Sequence, residues 1–131
     1  MNKEDALRGL RDILDDFLVY GRLIPELVDI VAKSGNEKAF FQCLINRLTF
    51  LSRYGIHAAG QHDEFEIIGD GLCSIHLDKK GFNIRILYSF MPDHRPVLLL
   101  GFYERAGKKK TDYTPYLAPA KQRFRELKGE K

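Results

Sequence analysis

Residues 82 to 113 read FNIRILYSFMPDHRPVLLLGFYERAGKKKTDY, and they place Arg85 in the middle of an alternating apolar run. Arg105, Lys108, Lys109 and Lys110 follow the next such run, Lys79 and Lys80 precede the first, and Tyr113 and Tyr116 come just behind the lysines. A guanidinium carried on a strand is held rigidly, and its planar fork bonds two phosphate oxygens at once. Lysines gathered from separate segments neutralise a polyanion backbone. Tyr113 has two candidate roles beside them. It can stack on an unpaired base, or it can take a proton from a ribose 2′-hydroxyl, because dense positive charge favours phenolate. Cleavage of RNA by its own 2′-hydroxyl needs in-line positioning, charge neutralisation at the phosphorane and proton transfer at both ends. No metal enters that chemistry.

His76 alternates with Ser74 and Asp78, which allows it the same side of the sheet as Arg85, and it is a further candidate. His57, His62 and His94 fall in loop and turn patterns and are weaker. The four histidines and two cysteines show no metal-ligand spacing, so neither metal nor cofactor is expected. Cys43 and Cys73 lie in a helical and a strand pattern and are expected to be buried thiols.

These residues need a scaffold. Leu7, Leu10, Ile13, Leu14, Phe17 and Leu18 follow helical spacing over residues 5 to 20. A second short helix, IPELVDIVAKSG, ends at Gly35. A third begins after Asn36 and carries Phe40, Phe41, Leu44, Ile45, Leu48, Leu51 and Tyr54 as one stripe before Gly55. After Gly55 the period changes to two. Three strands are expected, with alternation through Leu72 to Asp78, through Phe82 to Phe90, and a more continuously apolar run in VLLLGFYER. The turns KKGF and MPDHRP between them are short, so the strands should be antiparallel. YLAPAKQRFREL predicts a last helix, with its start set by Pro115 or Pro119. The fold class is therefore α+β. Helices pack on a small twisted, mainly antiparallel sheet of three to four strands, in a single domain spanning residues 1–131 with residues 1–20 as a helical N-terminal extension.

The chain has 131 residues, 44% hydrophobic and 30% charged, which suits one ordinary globular domain. No run approaches a membrane span, and MNKEDALRGLRDILDD lacks the apolar core of a signal peptide, so the cytoplasm is the expected location. The net charge of +3 is uneven. Residues 1 to 35 carry −2, and residues 101 to 131 hold nine Lys/Arg against four Asp/Glu, a surplus of +5. The positive end is where phosphates would be met.

GDGLCSIHLDKKGFNIRILYSF, followed by VLLLGFYERAGKKKTDYTPYLAPAKQRFREL, resembles the RelE/ParE superfamily of bacterial toxins, and within it the HigB-like, phage-derived-protein-like branch. The resemblance covers roughly residues 36 to 128 and rests on the order and spacing of GFNIRILY and LLLGFYERAGKKKTDYTPYLAPAKQR. It implies a toxin with helices on a twisted antiparallel sheet, a cognate antitoxin of helix-turn-helix type, and ribosome-dependent cleavage of mRNA that inhibits translation. Arg85 then falls on the strand arginine at the scissile phosphate, and Arg105 and Lys108 with Lys109 and Lys110 on the basic loop. Lys79 and Lys80 fall on the basic hairpin turn, and Tyr113 near a tyrosine that is catalytic in some members. Catalytic work is thus expected of Arg85, Tyr113, Arg105 and Lys108. RNA binding is expected of Lys79, Lys80, Lys109, Lys110 and Tyr116. Many relatives read KTP where this chain reads KTDYTP, which leaves Tyr113 and Tyr116 as alternatives for one position. Relatives usually begin with a short strand, so FLVYG at 17 to 21 competes as strand with the helical reading. A toxin that poisons DNA gyrase, as ParE-like proteins do, and a non-catalytic binding module of the same fold are the competing functions.

Overall fold

The computed structural model describes residues 2–79, 82–104 and 112–129. Helix α1 spans Lys3–Leu14 and starts where the Asn2 side chain accepts a hydrogen bond from the Asp5 N–H at 2.8 Å. It buries Ala6, Leu10 and Leu14 at four-residue spacing. The helix stops there, four residues before Leu18–Val19, which form strand β1. The strand reading of FLVYG is therefore the one realised, and the predicted helix ends six residues early, at Leu14. Helix α2 is Leu23–Ser34, closed by Gly35 at φ 71°, and α3 is Glu37–Tyr54. A 3₁₀ turn (Gly55–His57) and a one-turn helix α4 (Ala58–Gln61) lead to β2 (Phe65–Gly69), β3 (Leu72–Lys79), β4 (Phe82–Phe90) and β5 (Pro96–Tyr103). Helix α5 is Thr114–Leu127, with Pro115 in its first turn and Pro119 inside it.

The strands form one sheet in the order β1-β5-β4-β3-β2, antiparallel except for the β1–β5 pair. Two more strands are present than the three clear alternations predict. β1 joins the far edge through Leu18↔Val97 and Val19↔Leu98, a parallel pairing that spans most of the chain. β2 pairs with β3 through a tight hairpin in which Asp70 (φ 54°) and Gly71 (φ 80°) both take positive φ. That is the backbone of a type I′ turn, the connection that matches strand twist.

Each face of the sheet carries its own core. Ile75, Leu77, Ile84, Ile86, Tyr88 and Leu98 pack under α1, α2 and α3, together with Phe40, Leu44 and Leu48. Leu72, Leu87, Val97, Leu99, Leu100 and Phe102 pack under α5, around Ala120. Leu99 is an extra residue on β5, because Leu87 pairs with Leu100 and Tyr88 with Leu98. The bulge turns Leu99 and Leu100 into the same core, which is why this strand reads as continuously apolar. Cys43 and Cys73 are buried and not joined in a disulfide, as expected.

Where β1 ends, two side chains complete the β5 edge in place of a strand. The Arg123 guanidinium donates to Leu99 O at 2.9 Å, and the Gly101 N–H donates to Glu26 Oε1 at 3.3 Å. Arg123 and Glu26 are themselves bonded, Nη1 to Oε1 at 2.8 Å and Nη2 to Oε2. Gly101 lies close beneath α2: a Cβ there would stand 2.9 Å from Leu27 Cδ2 and 3.2 Å from Leu23 Cδ1. No helix among the described residues is long and apolar enough to cross a membrane.

Candidate active site

Strand register assembles the site. His76 on β3 pairs with Arg85 on β4, and Arg85 pairs in turn with Phe102 on β5. Glu66 on β2 pairs with Ser74, two residues before His76 on β3. Alternate residues of a strand share a face, so Glu66, Ser74, His76, Arg85 and Phe102 all lie on the α5 side. α5 covers the apolar part of that face. Just before its first residue the chain turns, with Asp112 Oδ1 accepting from the Thr114 N–H at 3.0 Å, and Tyr113 is set against the polar end.

Three groups then close a triangle. The Tyr113 hydroxyl donates to Glu66 Oε1 at 2.8 Å and lies 3.2 Å from His76 Nε2, which is 3.3 Å from the same Glu66 oxygen. The single hydroxyl proton is directed to Glu66. The His76 contacts are therefore satisfied together when the imidazole carries its proton on Nε2 and donates to both oxygens. Burial holds the His76 pKa below its ordinary value, the Arg85 charge adds to this, and Glu66 works against it. The ring is neutral near pH 7.

Burial also pushes the Tyr113 phenol up, and the bond to Glu66 and its charge push the same way. Ser74 and Arg85 pull it down without reversing the direction. This runs opposite to the expected depression by positive charge. In this conformation the phenol is a hydrogen-bond donor, and it becomes a base only by handing its proton on.

Arg85 is 8% exposed. Its Nη1 donates to Asn83 Oδ1 on the same strand and, at 3.4 Å, to Ile84 O. Its Nε is buried with no hydrogen-bond partner among the described residues, and the same holds for Ser74 Oγ. From the opposite face Arg47 on α3 steadies β3, its Nε donating to His76 O at 3.0 Å and its guanidinium standing 3.7 Å from the Glu64 carboxylate.

The structure separates the two tyrosines. Tyr116 stacks on Phe102 with ring centroids 3.7 Å apart and an interplanar angle of 7°, while Tyr113 meets Phe102 edge-on at 6.1 Å. Tyr113 is thus the member of the polar cluster, and Tyr116 is the packed one. The Lys79 backbone pairs with Phe82 at the end of β3. Lys80, Arg105, Lys108, Lys109 and Lys110 lie outside the described residues. Glu66 was not foreseen from the sequence. The signal that locates it is Asp70-Gly71, a hairpin turn pair that makes FEII a strand in its own right.

Beyond α5's packing, much of its positive charge is already matched. Lys121 Nζ is 2.6 Å from Asp70 Oδ2, Arg123 is bonded to Glu26, and Lys128 lies 4.3 Å from the centre of the Phe124 ring. No protein-family model matches the chain, and no curated protein matches it.

Proposed function

We propose that the protein is the toxin of a toxin–antitoxin pair, an endoribonuclease that cuts mRNA on the ribosome in the cytoplasm and so inhibits translation. A cognate antitoxin, expected to be of helix-turn-helix type, is its partner. The reading is supported by the RelE/ParE-like motifs, and the observation that carries it is the Glu66–His76–Tyr113 cluster set beside Arg85. In the reaction the ribose 2′-oxygen bonds to the adjacent phosphorus, the bond from phosphorus to the 5′-oxygen breaks with its electron pair left on that oxygen, which takes up a proton from solvent, and the 2′-proton must leave. Tyr113 takes that proton as its own passes to Glu66, and His76 holds both oxygens in place. Arg85 supplies positive charge where the phosphorane oxygens gain negative charge, through the Nε–H that has no partner among the described residues. A guanidinium this buried is met by a phosphate only after part of its cover is displaced.

Induced expression without antitoxin tests the proposal. Growth should arrest, and mRNA should be cut only when it is translated. Cutting of naked RNA at the same positions would remove the ribosome from the reading. Arrest with intact mRNA and broken chromosomal DNA would replace it by gyrase poisoning.

A further inference from the structure

Among the described residues, Ser74 carries a buried hydroxyl on the site's face with no evident task. Its side chain is fully buried, and its Oγ has no hydrogen-bond partner among the described residues. Leaving a buried hydroxyl unpaired destabilises a fold, and alanine of the same shape would remove the penalty. The position is nonetheless specific. Ser74 is opposite Glu66 in the β2–β3 register and two residues from His76 on the same face, which sets it beside the two groups that hold the Tyr113 phenol, and it pulls that phenol's pKa down. In this state the phenol oxygen already accepts from His76 Nε2–H while its proton points at Glu66.

We propose that Ser74 is a positioning residue for Tyr113, whose hydroxyl donates to the phenol oxygen when that oxygen passes its proton to Glu66. The inference rests on the proton path proposed above. As the O–H bond of Tyr113 breaks, its electron pair stays on the phenol oxygen and the proton moves to Glu66 Oε1, 2.8 Å away. The oxygen then needs a second donor, and among the described residues Ser74 offers a buried hydroxyl with no other partner on the same face. Hydrogen bonds to charged oxygens are shorter and stronger than neutral ones, so the contact closes when charge appears and stays slack before. Among the described residues, the groups around Tyr113 are Glu66 from β2, Ser74 and His76 from β3 and Arg85 from β4, with Asp112 next to it in the chain. Phe102 from β5 adds no charge. Of the neutral groups, Ser74 acts on the phenol in the direction that favours phenolate.

The test is a spectroscopic titration of the tyrosines in the intact protein, with the Tyr113→Phe protein subtracted to isolate one phenol. Ser74→Ala should fold at least as stably as the parent, move the Tyr113 titration to higher pH, and lower single-turnover cleavage by about ten- to a hundredfold. Ser74→Thr, which keeps the hydroxyl, should restore both. Ser74→Cys keeps the side chain's shape with a weaker donor, and it should fall between parent and alanine should Ser74→Ala fail to fold. An unmoved Tyr113 titration in Ser74→Ala, or in Ser74→Cys where Ser74→Ala does not fold, overturns the proposal. A parent protein that cuts no RNA overturns the proposed function instead, and the titration still decides whether Ser74 serves the phenol.

Discussion

Arg85 and Tyr113 occupy one site but should fail in different ways. On the proposed reaction, Arg85→Ala removes charge that matters most at the phosphorane, so single-turnover cleavage should fall by about a hundredfold or more while ribosome binding changes little. Arg85→Lys should recover little of it, because an ammonium lacks the fork. Tyr113→Phe keeps the ring against Phe102 and loses the hydroxyl. If the phenol relays a proton, cleavage collapses and binding stands; a nearly silent Phe variant with a damaging Ala variant would assign the residue to base stacking. Parallel cleavage and binding measurements separate these outcomes. His76 makes a prediction about stability. Its pKa is depressed in the fold, so below the ordinary histidine value of about 6.5 the unfolded chain binds a proton that the folded chain refuses. Stability should therefore decline as pH falls from about 7.5 to about 5.5. His76→Gln, which cannot titrate, should flatten that decline in urea unfolding measured at both pH values. An equal slope in the two proteins would show that other groups set it.

At the scale of elements, the tightest fit is between β5 and α2. Gly101→Ala would press a methyl against Leu27 and Leu23, both fully buried. Destabilisation of about 1–3 kcal/mol is expected, read as a lower denaturation midpoint with an unchanged urea slope. A stability equal to the parent's would mean that α2 gives way freely. The central strands were readable because their residues alternate cleanly: Arg85 and His76 could be assigned to one side before any coordinates. Residues 5 to 20 misled in their last third. Phe17 and Leu18 continue the helical spacing of α1 by coincidence, and what decides against the helix is a pairing with Val97 and Leu98, far along the chain. β2 was lost for the opposite reason. Its own residues are mostly exposed, and Ile67 is 71% so, which leaves a weak pattern unless Asp70-Gly71 is given its full weight as a turn. Losing β2 meant losing Glu66. Ser74 offered no signal at all, since a serine in an alternating strand is ordinary until its burial is known.

For the whole molecule, the proposed function makes charge the guide of an RNA substrate. The surplus of +5 in residues 101 to 131 suggests a broad basic surface, but α5's Lys121 and Arg123 are matched by Asp70 and Glu26. Arg105, Lys108, Lys109 and Lys110 are then the densest run of positive charge in that segment. Lys109→Ala should weaken binding to ribosomes and reduce the salt slope by about one if it neutralises one phosphate. Lys121→Ala should leave that slope unchanged. Association measured over a range of salt concentrations would check both, and a Lys121 effect as large as that of Lys109 would spread the contact over α5.

The contacts between the first third of the chain and its last helix also govern how the protein reaches its native state. Tyr20 donates to Glu126 at 2.5 Å, Glu26 bonds Arg123, and β1 waits for β5. None of these can form until about three-quarters or more of the chain is in hand, and each closes a loop of about eighty to over a hundred residues, at an entropic cost that local contacts do not carry. The helices α1 to α3 can begin early, but their apolar faces stay uncovered until the sheet arrives beneath them. Folding should therefore be late and cooperative, with the edge of β5 sealed in the same event that seats α5. The polar cluster around Tyr113 comes into being only then, so a partly folded chain has no assembled site to act with.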